Sequence, residues 1–153
     1  MIRIQREDFD VGAELEALAG GNPKVGGVAV FVGLVRDVAG GEAVRAITLE
    51  HYPGMTEKKL AEIEAEAHRR WPLEATLVVH RYGELKPTDR IVLVAAASAH
   101  RDAAFKACRF LIDWLKTKAP FWKLEDKASG AQWVETRESD DAAAAAWTKK
   151  KSR

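Results

Sequence analysis

Two basic side chains stand together where the longest predicted helix begins. They are His100 and Arg101. Free backbone amide groups point out of a helix N-terminus, so that end combined with two basic side chains forms an anion-binding site. The same pair opposes the helix dipole, at a cost of about 0.3–1 kcal/mol when exposed. The alternative interpretation is therefore a surface pair that the helix tolerates.

Two lysines lie at the other end of this helix. Lys116 belongs to its last turn, and Lys123 follows the Ala-Pro break at 119–120 and two aromatic residues. Aromatic neighbours that partly desolvate a lysine make it usable as an acid, a base or a nucleophile. A lysine in the last turn also stabilises a helix by itself, so Lys116 has a purely structural alternative.

Two arginines complete the set of candidates. Arg36 directly follows an apolar strand predicted at 26–35, and Arg137 shares a strand face with Trp133 and Glu135. Guanidinium groups suit phosphate, although either arginine could be a surface ion-pair partner. Between positions 101 and 123 six residues are basic and two are acidic, whereas the whole chain has a net charge of +1. This concentration favours a small anionic ligand over a long polyanion.

Composition excludes several classes of protein. The chain has 153 residues, about one domain, and 24 Lys and Arg against 23 Asp and Glu, which argues against a nucleic-acid binder. A single cysteine, Cys108, cannot form an internal disulfide or a zinc ribbon, and the histidine spacing fits no metal site. The longest apolar run, 25–35, is far shorter than the roughly 20 residues of a membrane helix, and the N-terminus is polar. We expect a cytoplasmic protein without a signal peptide.

The order of the predicted elements indicates an α+β fold, because helices and strands mix without strict βαβ alternation. Strands are predicted at 2–5, 26–35, 44–50, 75–82 and 90–97, and a hairpin at 121–125 and 132–138. Helices are predicted from Asp8 or Asp10 to Leu18, at 55–71 and at 101–118.

Three details of these elements are specific enough to be tested. The strand at 26–35 is apolar on both faces, which predicts that it is buried. Ser98 is the predicted N-cap of the helix at 101–118. We expect one domain over 1–141, a short helix after Ser139, and a frayed basic tail over 142–153.

Several stretches of the chain resemble a single family. They are FVGLVR at 31–36, LEHYPGM at 49–55, SAHR at 98–101, KTKAPFWK at 116–123 and WVE at 133–135. In their order along the chain, from about residue 25 to residue 140, they resemble the catalytic (large) subunit of molybdopterin synthase. The LEHYPGM and KAPFWK stretches are the specific ones.

The resemblance implies a fold and a function. It implies an α/β hammerhead fold and a sulfurtransferase of molybdenum cofactor biosynthesis, which converts cyclic pyranopterin monophosphate to molybdopterin by installing the dithiolene sulfurs. Sulfur arrives as a thiocarboxylate on the C-terminal Gly-Gly of a small ubiquitin-like carrier subunit. The large subunit is expected to form a homodimer with a carrier at each end, a heterotetramer. No resident cofactor, metal, nucleic acid or membrane is expected to take part.

The resemblance also implies the site residues. Lys116 and Lys123 match the two lysines expected to be catalytic and to contact the substrate. Basic pocket residues and residues that line the pocket are matched by Arg36, His100, Arg101, Arg137, Leu34, Val35, Leu124 and Glu125. Leu34 and Leu124 stand where basic residues occur in other members, so we expect only backbone contacts from them.

The roles of these residues are hypotheses. Lys123 is expected to transfer a proton, and Lys116 to position the thiocarboxylate and the substrate. His100 and Arg101 are expected to serve the pocket of the partner protomer, because the family is dimeric. The alternative is a non-catalytic binding module for a ubiquitin-like partner or a phosphorylated metabolite, in which both lysines act only electrostatically.

Overall fold

The first of two sheets forms the body of the protein. The computed structural model describes residues 1–134 and 138–151. Four strands follow one another in the order β1-β5-β7-β2. β1 pairs with β5 in parallel and the other pairs are antiparallel. The strands are β1 (Ile2–Gln5), β2 (Gly27–Leu34), β5 (Ala75–Arg81) and β7 (Arg90–Ser98).

The second sheet is smaller and wholly antiparallel. Its central strand β4 pairs with β8 along one edge and with β3 and β6 elsewhere, and β9 pairs with β8. The strands are β3 (Val38–Ala39), β4 (Glu42–His51), β6 (Gly83–Leu85), β8 (Phe121–Lys127) and β9 (Gly130–Val134). The short strands β3 and β6 carry too few residues to show a pattern, and the sequence did not predict them.

Helices cover both faces of the first sheet. They are α1 (Val11–Ala19), α2 (Met55–Arg70), α3 (Arg101–Lys118) and α4 (Glu138–Lys151). Side chains alternate along β7: Val92 and Val94 pack with the cluster that includes α2 and α3, whereas Leu93 packs with the cluster next to α1. This two-sided burial explains why β7 is apolar from Ile91 to Ala97. The α+β prediction, with mostly antiparallel strands and packed helices, is confirmed.

The prediction that the strand at 26–35 is buried is wrong for much of its length. β2 is the last strand of its sheet, and Val30 and Phe31 are each 39% exposed. Leu34 is more exposed still, at 53%. An edge strand also carries apolar residues on both faces when a surface outside its own sheet covers it. Sequence alone does not distinguish these two situations.

Two smaller predictions also need correction. Ser98 is not the N-cap of α3, because its hydroxyl donates a hydrogen bond to the carbonyl of Pro72 at 2.7 Å. His100 occupies the N-cap position, and its side chain makes no capping hydrogen bond. In the C-terminal hairpin β9 covers Gly130–Val134, and residues 135–137 of the predicted strand lie outside the described part of the chain.

The predicted tail contains packed structure. Helix α4 runs from Glu138 to Lys151, and Ala144 and Trp147 within it are buried. The Trp147 indole donates a hydrogen bond to Asp113 of α3 at 2.8 Å, and its ring packs edge-on against Phe110 and Trp71. An alanine and a tryptophan three residues apart form the apolar face that docks this helix. No helix in the described residues is long and apolar enough to cross a membrane.

Replacing Trp147 by alanine tests whether α4 is part of the folded unit. We expect the free energy of unfolding to fall by about 3 kcal/mol, because a buried indole and its hydrogen bond are lost. Urea denaturation followed by circular dichroism measures this change. The control is Trp133→Ala, since Trp133 is 58% exposed and should matter by less than about 0.5 kcal/mol. Equal stability of both variants would contradict docking of α4.

Candidate functional site

A cavity of about 300 Å³ opens where the two sheets meet the C-terminal end of α3. Its apolar walls come from β4 and from the chain around β2 and α3. Its polar groups come mainly from the residues following β2, from the last turn of α3 and from β8. Residues that line it include Leu34, Val35, Arg36, Val44, Ile47, Leu49, His80, Ile91, Leu115, Lys116, Ala119, Phe121, Trp122, Lys123 and Glu125.

Six of the predicted site residues therefore meet at one place, although they come from three separate stretches of the chain. These residues are Leu34, Val35, Arg36, Lys116, Lys123 and Glu125. Each stretch reaches the cavity for a local reason. Strand β2 and helix α3 both end beside the cavity, and β8 begins directly after α3.

The end of β2 is held in place by the backbone of the loop before β7. The amide of Val35 donates to the carbonyl of Asp89 at 2.9 Å, and the amide of Thr88 donates to the carbonyl of Val35 at 2.9 Å. Thr88 has a positive φ of 79°, which is uncommon for a residue with a branched side chain. Val35 itself is buried, so the adjacent Arg36 is fixed at the cavity while its side chain stays exposed.

Strand β8 presents a charged face to the cavity because side chains alternate along a strand. Lys123, Glu125 and Lys127 share that face. The Glu125 carboxylate is 3.6 Å from the Lys123 ammonium and 3.3 Å from the Lys127 ammonium. Leu124 belongs to the opposite face, across from Trp133 on β9, and does not line the cavity.

His100 and Arg101 lie far from this cavity within one subunit. Both are exposed and stand at the N-terminal end of α3, whereas Lys116 is in its last turn. Fifteen residues of helix separate Arg101 from Lys116 by about 22 Å, so one subunit cannot bring them together. Arg137 lies outside the described residues.

His80 is a cavity residue that sequence reasoning missed. Its ring stacks on Phe121 with centroids 3.8 Å apart, and its Nδ1–H donates to the carbonyl of Arg81 at 2.7 Å. Burial lowers the pKa of His80 to about 4, and the nearby positive charge of Lys116 acts in the same direction. His80 is therefore neutral at pH 7. A single histidine in the apolar strand β5 gives no sequence signal of this position.

The site is suited to an anionic ligand with an extended part. Lys116 and Lys123 reach the cavity from different elements, and Arg36 adds a guanidinium group. Between them lie apolar side chains and the stacked pair of His80 and Phe121. In the described residues, no three His, Cys, Asp or Glu side chains are grouped as they would be around a metal ion.

Comparison with known proteins identifies the family. A family model described as MoaE protein matches residues 4–118. This chain belongs to the MoaE family. A relative from Ralstonia nicotianae named molybdopterin synthase catalytic subunit is 56% identical over 146 residues, which cover 95% of this chain and 83% of the relative. One of the same name from Escherichia coli is 54% identical over 146 residues, covering 95% and 97%.

Solved structures agree with this placement in the MoaE family. The structure described as the molybdopterin biosynthesis MoaE protein from Burkholderia ambifaria matches with a TM-score of 0.83 and 54% identity, over 97% of each chain. The family resemblance stated from sequence is thus confirmed, together with the type of fold that it implied.

The buried His80 predicts a dependence of stability on pH. Its pKa is about 4 in the folded protein and 6.5 ordinarily, so the unfolded chain binds more protons between these values. This stabilisation is complete above pH 6.5 and is lost as the pH falls towards 4. As the pH falls from 6.5 to 4, the free energy of unfolding of the wild type should decrease. That of His80→Phe should decrease by up to about 3 kcal/mol less, because this variant has no imidazole to protonate.

Urea titrations at several pH values measure this difference. The matched control is His100→Gln, which replaces an exposed histidine that lies outside the cavity. If His80→Phe and the wild type lose stability in parallel between pH 6.5 and 4, His80 is not buried in its neutral form.

Proposed function

We propose that this protein is the catalytic subunit of a molybdopterin synthase. It transfers sulfur from the C-terminal thiocarboxylate of a small ubiquitin-like carrier subunit to cyclic pyranopterin monophosphate, which forms the dithiolene of molybdopterin. The observation that carries this proposal is the meeting of Lys116, Lys123 and Arg36 at one cavity in a member of the MoaE family. The relatives' name, molybdopterin synthase catalytic subunit, supports the same reaction.

The shape and charge of the cavity support a carrier tail as the sulfur donor. A tail that ends in Gly-Gly has no side chains at its end and is thin enough to enter a narrow cavity. Its terminal thiocarboxylate is an anion, which lysine ammonium groups hold well. The word "subunit" in the relatives' name also supports a second polypeptide in the enzyme.

The two lysines have different surroundings, which supports different roles. The ammonium of Lys123 is 3.6 Å from the carboxylate of the buried Glu125. This carboxylate can exchange a proton with Lys123 or hold its ammonium in place. Lys116, in the last turn of α3, is exposed at the cavity. In this proposal Lys123 transfers a proton, and Lys116 positions the thiocarboxylate against the substrate. Arg36 binds the cyclic phosphate.

A homodimer completes the site in this proposal. In the described residues no strand pairs with the outer edge of β2, and its centre exposes Val30 and Phe31. If two β2 strands pair antiparallel around a two-fold axis near these residues, the Gly27 end of one strand lies beside the Leu34 end of the other. Gly27 lies against Arg101, so the partner's His100 and Arg101 then approach this subunit's Arg36.

The remaining parts of the proposal follow from the reaction. Each protomer binds one carrier, which gives a heterotetramer, and each dithiolene consumes two thiocarboxylates. The chemistry needs the carrier's sulfur and this chain's side chains, with no resident cofactor. We place the reaction in the cytoplasm, because thiols stay reduced there and the one cysteine of this chain, Cys108, is a buried free thiol.

Replacing either lysine by alanine tests the catalytic assignment. Turnover should fall at least about 10²-fold in Lys116→Ala and in Lys123→Ala, which is the usual effect of losing an acid–base or positioning group. The assay mixes the protein with thiocarboxylated carrier and cyclic pyranopterin monophosphate, and detects molybdopterin as its fluorescent oxidation product. Lys118→Ala is the control, because Lys118 is exposed on the same helix but does not line the cavity.

The outcome separates the two functions under consideration. Near-normal turnover of both cavity variants would contradict the assignment. A wild-type protein that is folded and binds the carrier but forms no product would instead be a binding module.

A mixed dimer tests whether the site is shared between protomers. One protomer carries His100→Ala and the other Lys116→Ala. If His100 serves the partner's cavity, one of the two sites is intact and the mixed dimer recovers about half of the wild-type turnover. The two variant homodimers are the controls and should both be impaired. A mixed dimer no more active than these homodimers would show that His100 does not act across the interface.

A further inference from the structure

A buried lysine stands behind the charged wall of the cavity. Lys127 is only 7% exposed, so it is almost as deeply buried as Glu125, which is 6% exposed. Its ammonium is 3.3 Å from the carboxylate of Glu125, whereas that of Lys123 is 3.6 Å away. Glu125 and Lys123 line the cavity, and Lys127 does not. Lys127 lies outside the stretches that carry the family resemblance, and it has no role in the proposed reaction.

Local structure holds Lys127 in this position. Its backbone carbonyl accepts a hydrogen bond from the Arg45 guanidinium at 3.1 Å, next to the irregular pairing of β4 with β8. The turn between β3 and β4 covers its ammonium: a Cβ atom at Gly40 would lie 3.9 Å from the Lys127 nitrogen. Gly40 has a φ of +61°, a conformation that glycine adopts without strain.

A second carboxylate, Glu42, is also near Lys127. Hydrogen bonds from Ser129 lower the pKa of Glu42, and the positive charge of Lys127 helps to lower it. Glu42 accepts hydrogen bonds from the amide and the hydroxyl of Ser129, at 2.7 and 2.8 Å. Within the described residues, Glu125 is the carboxylate at ion-pair distance from Lys127, at 3.3 Å.

The charges on this face constrain what Lys123 can do. A buried carboxylate must be neutralised by a close cation, because an unpaired buried charge is strongly unfavourable. If Lys123 were the only cation beside Glu125, it would be held there and its charge would be cancelled. Because Lys127 is the closer and more buried partner of Glu125, the positive charge of Lys123 is not cancelled and can bind an anion.

We propose that Lys127 is a positioning residue that neutralises Glu125 and so leaves the Lys123 ammonium available to anionic ligands in the cavity. This inference rests on the proposed function for its biological meaning, but the availability of Lys123 is a property of the chain alone. Lys127 acts through Glu125 and touches no reacting atom.

The test compares anion binding at Lys123 in three variants. Lys127→Met removes the charge and keeps most of the side-chain volume, and Lys127→Arg keeps the charge. The double variant Glu125→Gln with Lys127→Met removes both members of the buried pair. Inorganic phosphate is the probe, and reductive ¹³C-methylation makes the lysines visible by NMR without removing their charge. The Lys123 signal is identified by its absence in Lys123→Arg.

We expect phosphate to shift the Lys123 signal of the wild type and of Lys127→Arg with similar affinity. In Lys127→Met the affinity should fall about tenfold, because Lys123 then pairs with Glu125. The double variant should recover the wild-type affinity to within about threefold, since no buried carboxylate remains to hold Lys123. Such a recovery is not expected if Lys127 only stabilises the hairpin, because two substitutions would then do more damage than one.

Several outcomes would overturn the inference. One is wild-type phosphate affinity at Lys123 in Lys127→Met. Another is a wild-type Lys123 signal that phosphate does not move. If Lys127→Met does not fold, the test depends on the double variant. The inference requires the double variant to bind phosphate with the affinity of the wild type, and a weaker affinity would contradict it. Absence of molybdopterin formation by the wild type would contradict the proposed function instead, since the phosphate measurement does not depend on the reaction.

Discussion

The packing of α3 against the first sheet is the contact on which the rest of the structure depends. Small residues on both surfaces, such as Ala96 on β7 and Ala104 and Ala107 on α3, are buried at this interface and let the helix approach closely. Phe110 is completely buried beside them. Because both ends of α3 carry candidate site residues, this packing sets where each group of charges lies relative to the sheets.

The direction of α3 explains why the candidate site residues form two separate groups. One end of the helix delivers Lys116 to the cavity and leads directly into β8, which carries Lys123. The other end holds His100 and Arg101 about 22 Å away, at the Gly27 end of β2. A rigid helix cannot bring its two ends together. The proposed second protomer, paired along β2, would bring one group from each protomer together and would also cover the exposed apolar residues of that strand.

The cavity exists because two sheets meet without closing on each other. Val35, Ile47 and Leu85 belong to a buried cluster on the side of the second sheet, and the stacked rings of His80 and Phe121 join the two sheets beside the cavity. Apolar packing forms this joint, while the inner face of β8 carries charge. The charged face is tolerated because Glu125 lies between two ammonium groups, so that each buried charge has a partner.

Sequence alone determined the long helices and the central strands, because periodicity and Gly-Pro breaks mark them. Arg36, Lys116 and Lys123 followed from their residue types and positions, whereas Leu34, Val35 and Glu125 followed from the family resemblance. The basic character of the site also followed from the sequence. Only the tertiary structure decided which charges meet: Lys127 pairs with Glu125 beneath a turn that covers it. The fold also buries the neutral His80 at the cavity. The edge position of β2 and the docking of Trp147 were likewise decided by the fold. Local patterns report which face of an element is apolar, but what covers that face is set by distant parts of the chain.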